Sequence, residues 1–172
     1  MVSMVQITNV VVQADLHVSV DLKHLANNAR DIRYDPKLFS GAIWHHRKIG
    51  GCCLVFYNGK LNCNGNKNIT EAKKRIRQYA RLIQKLGYVV KLYKIEVVTM
   101  TAVHKLSSPL DVPTVLSTLN GASYEPELHN AIMLKRGRIH YNCFQSGKVV
   151  ITGLHNVQTI YATLLELELC TT

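Results

Sequence analysis

The sequence is short of the features that mark most functional classes. Its 172 residues hold no apolar run near the roughly 20 needed to cross a bilayer. The N-terminus lacks the charged-then-apolar layout of a secretory signal, so a soluble intracellular chain with no membrane partner is expected. Only four prolines accompany a hydrophobic content of 47%, which excludes a disordered polymer. The five cysteines form no Cys-x-x-Cys and no disulfide framework, and read as free, mostly buried thiols. There is no glycine-rich phosphate loop, no nucleophile motif and no clustered carboxylate pair, so neither an enzyme nor a cofactor is expected. His45-His46 and Cys52-Cys53 invite a zinc site. Adjacent residues on a strand point to opposite faces, however, so at most one of each pair can converge and no metal is predicted.

Acidic residues are also scarce: 11 Asp and Glu face 21 Lys and Arg, a net charge of +10. The imbalance is local. Residues 1–88 carry 14 basic against five acidic side chains, a net +9, while residues 89–172 carry seven against six. A basic half points to a polyanion or an acidic protein partner, although a merely solvated basic surface fits the charge equally well.

What the chain does contain is a repeat. Arg33-Tyr-Asp-Pro-Lys-Leu-Phe39 returns ninety positions later around Ala122-Ser-Tyr-Glu-Pro-Glu-Leu-His129, with Tyr34/Tyr124, Pro36/Pro126 and Leu38/Leu128 in register. Asp21 pairs with Asp111 at the same offset. Phe56-x-x-Gly59-Lys60 returns as Phe144-x-x-Gly147-Lys148, and Gly65 as Gly153, now at an offset of 88. Two copies of one unit are predicted, 1–88 and 89–172.

Each copy reads as a strand, a short helix, a three-strand meander and a long helix. In the first, a strand over 5–14 precedes a helix over 22–30 capped by Asp21, strands over 42–47, 52–56 and 60–64, and a helix that Asn68-x-x-Glu71 opens and Gly87 closes. Ala72, Ile76, Tyr79, Ile83 and Leu86 form that helix's apolar stripe, while Lys73, Lys74, Arg77, Arg81 and Lys85 occupy the rest. The second copy gives strands over 95–104, 131–135, 138–144 and 148–152, with helices over 112–119 and 156–169. Joined edge to edge, the copies make one antiparallel sheet with four helices on one side. The other side is the functional question, because Cys52-Cys-Leu-Val-Phe56 is apolar toward both faces. If Cys53 and Val55 face the helices, then Cys52, Leu54 and Phe56 face outward, which makes a binding surface.

These motifs, together with Thr8-Asn9-Val10-Val11, Tyr79-Ala80-Arg81, Gln84-Lys85-Leu86-Gly87 and Ser146-Gly-Lys-Val-Val-x-Thr-Gly153, resemble the TATA-binding protein family over essentially the whole chain. The resemblance implies an α+β, saddle-shaped pseudo-twofold fold: a curved ten-stranded antiparallel sheet with four helices on its convex face. It implies a concave face that binds the DNA minor groove and pries base steps apart with two phenylalanine pairs, a mechanism of which that family is the standard example. On this basis Asn9, Val11, Phe39, Leu54, Phe56, Phe144, Val150 and Thr152 keep family residues toward DNA. Asn62, Asn64, Thr99, Thr101, His129, His140 and Asn142 depart from it, mostly toward polar groups. His129 stands where a wedge phenylalanine belongs. Departures on one face and an intact core resemble the TBP-like factor branch.

The resemblance further implies two partners. Glu125, Glu127 and Leu128 match the stirrup gripped by TFIIB. TFIIA meets the stirrup-side edge of the first half, where Asp31-Ile-Arg33-Tyr-Asp35 departs from the family in charge; the basic helix surface of Lys73, Lys74, Arg77, Arg81 and Lys85 is a candidate for TFIIA, for other factors or for upstream DNA, and a simply solvated face fits it equally well. The expected protein is a nuclear, non-enzymatic platform that nucleates the preinitiation complex, with weak or absent TATA binding and an apolar sheet on which copies could self-associate. The alternative is a divergent but genuine TATA-binding protein that bends minor-groove DNA.

Overall fold

The structure is a computed structural model that describes residues 4–172. Nine strands are hydrogen-bonded in the order β2-β3-β4-β5-β1-β6-β9-β8-β7, an open antiparallel sheet. They are β1 (Gln6–Asp15), β2 (Ile32–Arg33), β3 (Ala42–Trp44), β4 (Cys52–Val55), β5 (Lys60–Asn66), β6 (Ile95–Lys105), β7 (Ile132–Arg136), β8 (Ile139–Cys143) and β9 (Lys148–Leu154). Four helices accompany them: α1 (Leu22–Asn28), α2 (Ile69–Lys85), α3 (Val112–Thr118) and α4 (Tyr161–Glu168), the last preceded by a 3₁₀ turn, Val157–Ile160. The described residues form two compact units: a leading unit of residues 9–98, and a trailing unit made of residues 4–8 together with 99–172.

The leading unit is organised around α2. Asn68 caps it by accepting from the Glu71 N–H at 2.7 Å, and the Glu71 carboxylate accepts from the Lys67 N–H at 2.7 Å, a variant of the capping box. Its Ala72, Ile76, Tyr79, Ala80 and Ile83 are buried, as are Val10, Val12, Trp44, Cys53 and Cys63 of the sheet, and the Tyr79 ring stands 5.3 Å from that of Trp44. The Tyr79 hydroxyl is not stranded there, since it accepts from the His46 N–H and reaches the carbonyls of Trp44 and Gly50 at 3.2–3.3 Å. Burial still pushes its pKa well above the ordinary tyrosine value. Arg75, on the same helix, donates to the carbonyls of Ile49 and Gly65 and to the Asn66 amide oxygen, and pairs with Glu71 at 3.0 Å. It therefore ties down the turn at Gly50-Gly51 and is not part of the free basic surface.

The trailing unit repeats this plan with a reduced edge. The family resemblance implies ten strands, and among the described residues there are nine. The counterpart of β2 is a single bridge, Ser123 to Met133, closed by reciprocal N–H to carbonyl bonds of 2.8 and 2.9 Å. One bridge beside Gly121, which holds φ at +81°, does not extend to a strand. The closing helix is also shorter than expected, because its start carries Val157, Thr159 and Ile160, β-branched residues that favour the tight 3₁₀ turn over α-helix. Finally, β3 ends at Trp44, so His45 and His46 lie in a turn and not on a strand.

One motif accounts for the strongest part of the repeat. In both Phe-x-x-Gly-Lys turns the phenylalanine N–H donates to the lysine carbonyl, at 3.0 Å from Phe56 and 2.8 Å from Phe144, and the glycine N–H donates back to the phenylalanine carbonyl at 2.9 Å. Gly59 and Gly147 both hold φ at +83°. A Cβ on Gly59 would stand 2.2 Å from the Val18 carbonyl oxygen, and one on Gly147 2.7 Å from that of Ser108. Only glycine fits, and the turn fixes where each phenylalanine leaves the sheet.

Candidate nucleic-acid interface

In each unit the strands alternate between a face buried under helices and an open face. On the leading unit's open face stand Asn9 and Val11 of β1, Leu54 of β4, and Asn62 and Asn64 of β5, all half-buried. Pairing register places Leu54 beside Asn62, Asn62 beside Gln13, and Cys52 beside Asn64. Gln13 and Ile43 also belong to this face; the period of two from Asn9 and Val11 was the signal for Gln13. The Asn9 amide oxygen accepts from the Gly65 N–H at 2.9 Å, which orients its NH₂ group. The Asn62 amide oxygen is buried without a partner, a state that costs about 1–3 kcal/mol.

On the trailing unit's open face stand Thr99 and Thr101 of β6, His140 and Asn142 of β8, and Val150 and Thr152 of β9. Register sets Asn142 beside Val150 and His140 beside Thr152. Val103, opposite Val150, and Met133, opposite Asn142, complete it. As the alternation predicts, Tyr141 and Cys143 are buried on the other side; burial pushes the Cys143 thiol up to about 12.

An aromatic pair marks each unit. Phe39 and Phe56 stand edge to face, with centroids 5.9 Å apart and planes inclined at 67°. His129 and Phe144 do the same at 6.1 Å and 70°. Matching turns carry the first member of each pair. Leu38 and Phe39 donate backbone N–H bonds to the Asp35 carbonyl at 3.1 and 3.0 Å, and Leu128 and His129 donate to the Glu125 carbonyl at 3.0 and 2.9 Å. His129 thus occupies the seat of a phenylalanine, on the same backbone.

Beyond the pairs, the turn tips project into solvent. Leu128 is 82% exposed and follows exposed Glu125 and Glu127 in the same turn. On α2, Lys74, Arg77, Arg81 and Lys85 are exposed and Lys73 is half-buried. Lys74, Arg77 and Arg81 line a cleft of about 480 Å³ floored by Val90 and Leu92. At the sheet edge β2, Asp31 holds φ at +62° and pairs with exposed Arg47 at 3.4 Å. Among the described residues no group of three His, Cys, Asp or Glu could hold a metal ion.

Comparison with known proteins matches this arrangement. The family profile described as "Transcription factor TFIID (or TATA-binding protein, TBP)" matches residues 4–86 and 94–167. The chain is similar to the TATA-box-binding protein of Drosophila melanogaster, 36% identical over 159 residues that cover 91% of this chain and 45% of that one. It is similar also to the TATA box-binding protein-like 2 of Rattus norvegicus, at 35% identity with 91% and 46% covered. It therefore spans about half the length of these relatives. Among solved structures it resembles "Methanococcus jannaschii TBP" with a TM-score of 0.84 and 26% identity, covering 96% of this chain and 97% of that one.

Proposed function

The chain belongs to the TATA-binding protein family, and from that premise we propose that it is the core of a TBP-like factor. In this reading it is a nuclear, non-enzymatic platform on which a preinitiation complex assembles through TFIIA and TFIIB, with weak or absent TATA-box binding. One observation carries the proposal: equivalent turns in the two units seat Phe39 in one and His129 in the other. A wedge must offset the few kcal/mol needed to unstack a base step by apolar contact with the opened bases. An imidazole is smaller than a phenyl ring and carries two polar nitrogens. Asn62, Asn64, Thr99, Thr101, His140 and Asn142 add polar groups to the open faces, each requiring a partner in a groove of limited hydrogen-bonding variety.

The partner surfaces are argued from the turn and the helix. Leu128 is an exposed apolar tip that shares its turn with the exposed carboxylates of Glu125 and Glu127, in a protein of net charge +10, and suits a basic partner surface such as TFIIB would supply. Lys73, Lys74, Arg77, Arg81 and Lys85 form a basic surface that is a candidate for TFIIA, for another factor or for upstream DNA.

A second reading has its own observation. The Phe39–Phe56 pair is complete, and Asn9, Val11, Leu54, Phe144, Val150 and Thr152 keep family residues, as a genuine minor-groove bender requires. A fluorescence anisotropy titration against TATA and scrambled duplexes, with and without TFIIA and TFIIB, decides. Factor-dependent binding without TATA preference supports the platform. Tight, salt-dependent and TATA-selective binding by the chain alone overturns it in favour of the bender.

A further inference from the structure

Gly41 is buried and does not hold a positive φ, so conformational freedom does not explain a glycine there. Space does. A Cβ built on it would stand 2.9 Å from Cε1 of Phe39 and 3.0 Å from Cε1 of Phe56. Both are well inside the roughly 3.5–4.0 Å of ordinary carbon contact. The missing side chain lets the two phenyl rings close over the backbone in their edge-to-face pair. Because the obstructed atoms belong to rings and not to backbone, an added methyl would turn the rings before it moved the sheet.

Ninety positions on, the same place in the repeat holds Ala131, 1% exposed, two residues after His129. The residue beneath and the ring above change together: glycine goes with two six-membered rings, alanine with one five-membered and one six-membered ring. We propose that residues 41 and 131 are positioning residues for the aromatic pairs, and that Ala131 fits its unit to an imidazole at position 129. The methyl group takes up the volume the smaller ring leaves. A phenyl ring there would be held off the seat that Phe39 enjoys over Gly41. The functional consequence rests on the reading of these pairs as DNA wedges; the packing relation does not. On that reading, replacing His129 alone does not restore a wedge, and Gly41 sets the angle at which Phe39 and Phe56 meet a base step.

Two mutant cycles on the full chain test this, read by thermal melting without DNA. One combines His129→Phe with Ala131→Gly, and the other Gly41→Ala with Phe39→His. The expected result is coupling: His129→Phe lowers the melting temperature less in the Ala131→Gly background, by about 2–4 °C. Likewise, Gly41→Ala costs less alongside Phe39→His. The intrinsic effect of gaining or losing a glycine cancels within each cycle. Should the double variant at 129 and 131 fail to fold, the cycle at 39 and 41 decides. Additive effects overturn the proposal. A second measurement, energy transfer across an end-labelled TATA duplex, separates the two levels. Coupling with no bending by any variant counts against the wedge reading and leaves the packing relation standing, whereas bending with additive melting overturns the packing relation alone.

Discussion

His129 and Phe144 stand edge to face with ring centroids 6.1 Å apart and planes inclined at 70°, the arrangement that Phe39 and Phe56 adopt at 5.9 Å and 67°. The chemistry of one ring differs between the units while the backbone turn that mounts it does not. That separation of ring from mount makes the open faces testable piece by piece.

Restoring one ring is not enough. His129→Phe alone is expected to raise affinity for a TATA duplex by no more than ~10-fold, or ~1.4 kcal/mol. Adding Asn62→Val, Thr101→Val, His140→Val and Asn142→Leu removes polar groups from the faces and is expected to give at least another ~100-fold, or ~2.7 kcal/mol. Solubility should fall as the apolar patch grows. An anisotropy titration on one duplex compares the three proteins. A single variant that binds as tightly as the multiple one would show that the polar residues do not oppose binding.

At the trailing unit's turn, Glu125→Arg or Glu127→Arg is expected to weaken TFIIB binding about tenfold, since each turns an attraction into a repulsion. Both side chains are exposed, so stability should stay within about 0.5 kcal/mol of the parent. Calorimetric titration at moderate salt reads the first effect and urea unfolding the second. Undiminished TFIIB affinity would remove this turn from the interface.

Two glycines with positive φ should respond very differently to alanine. Gly59 holds φ at +83° with the Val18 carbonyl oxygen 2.2 Å from any Cβ, whereas Gly87 holds φ at +98° with nothing within 4 Å. Gly87→Ala should cost about 1 kcal/mol, the strain of the left-handed conformation alone. Gly59→Ala adds a backbone clash and should cost more than ~3 kcal/mol, with lost order at Phe56. Urea midpoints measure both, and equal losses would mean the contact with Val18 relaxes freely.

His104 gives the fold a pH dependence. It is 2% exposed on the helix-facing side of β6, and burial lowers its pKa below the ordinary histidine value, with the Glu168 carboxylate opposing the shift. The unfolded chain then binds the proton more readily than the folded one. Stability from this group is present above the unfolded pKa of about 6.5 and is lost as pH falls toward the lower folded value. Melting between pH 7.5 and 5.5 should show a decline that His104→Gln makes shallower. An unchanged slope would assign the decline to other groups.

Much of this was legible in the sequence because repetition supplies a second observation of every weak signal. Asp21 as a helix cap is a guess on its own, but with Asp111 at the same offset it becomes a pattern, and both cap their helices by accepting backbone N–H bonds. The parity of Cys53 and Val55 against Cys52, Leu54 and Phe56 followed from period-two geometry and holds in β4. The expected tenth strand is a single bridge, and that reduction was not legible, because whether one bridge lengthens to two depends on backbone angles near Gly121 that carry no hydrophobic signature. Arg75 was not singled out in the sequence, because its role depends on the Gly50-Gly51 turn that the fold brings against it. The role of Gly41 was hidden for the same reason: it is an absence of atoms, and only the rings above it give that absence meaning.

The two turns that hold Phe39 and His129 fasten their backbones through main-chain bonds, from the Phe39 N–H to the carbonyl of Asp35 and from the His129 N–H to that of Glu125. Main-chain bonds are indifferent to the side chain they carry. Mutation at such a position therefore leaves the turn itself in place, and its cost falls on whatever the ring touches. A duplicated unit built this way offers two sockets of one pattern, in which one tool can be exchanged while the other stays in use. The two halves of such a protein can diverge in recognition long before they diverge in shape.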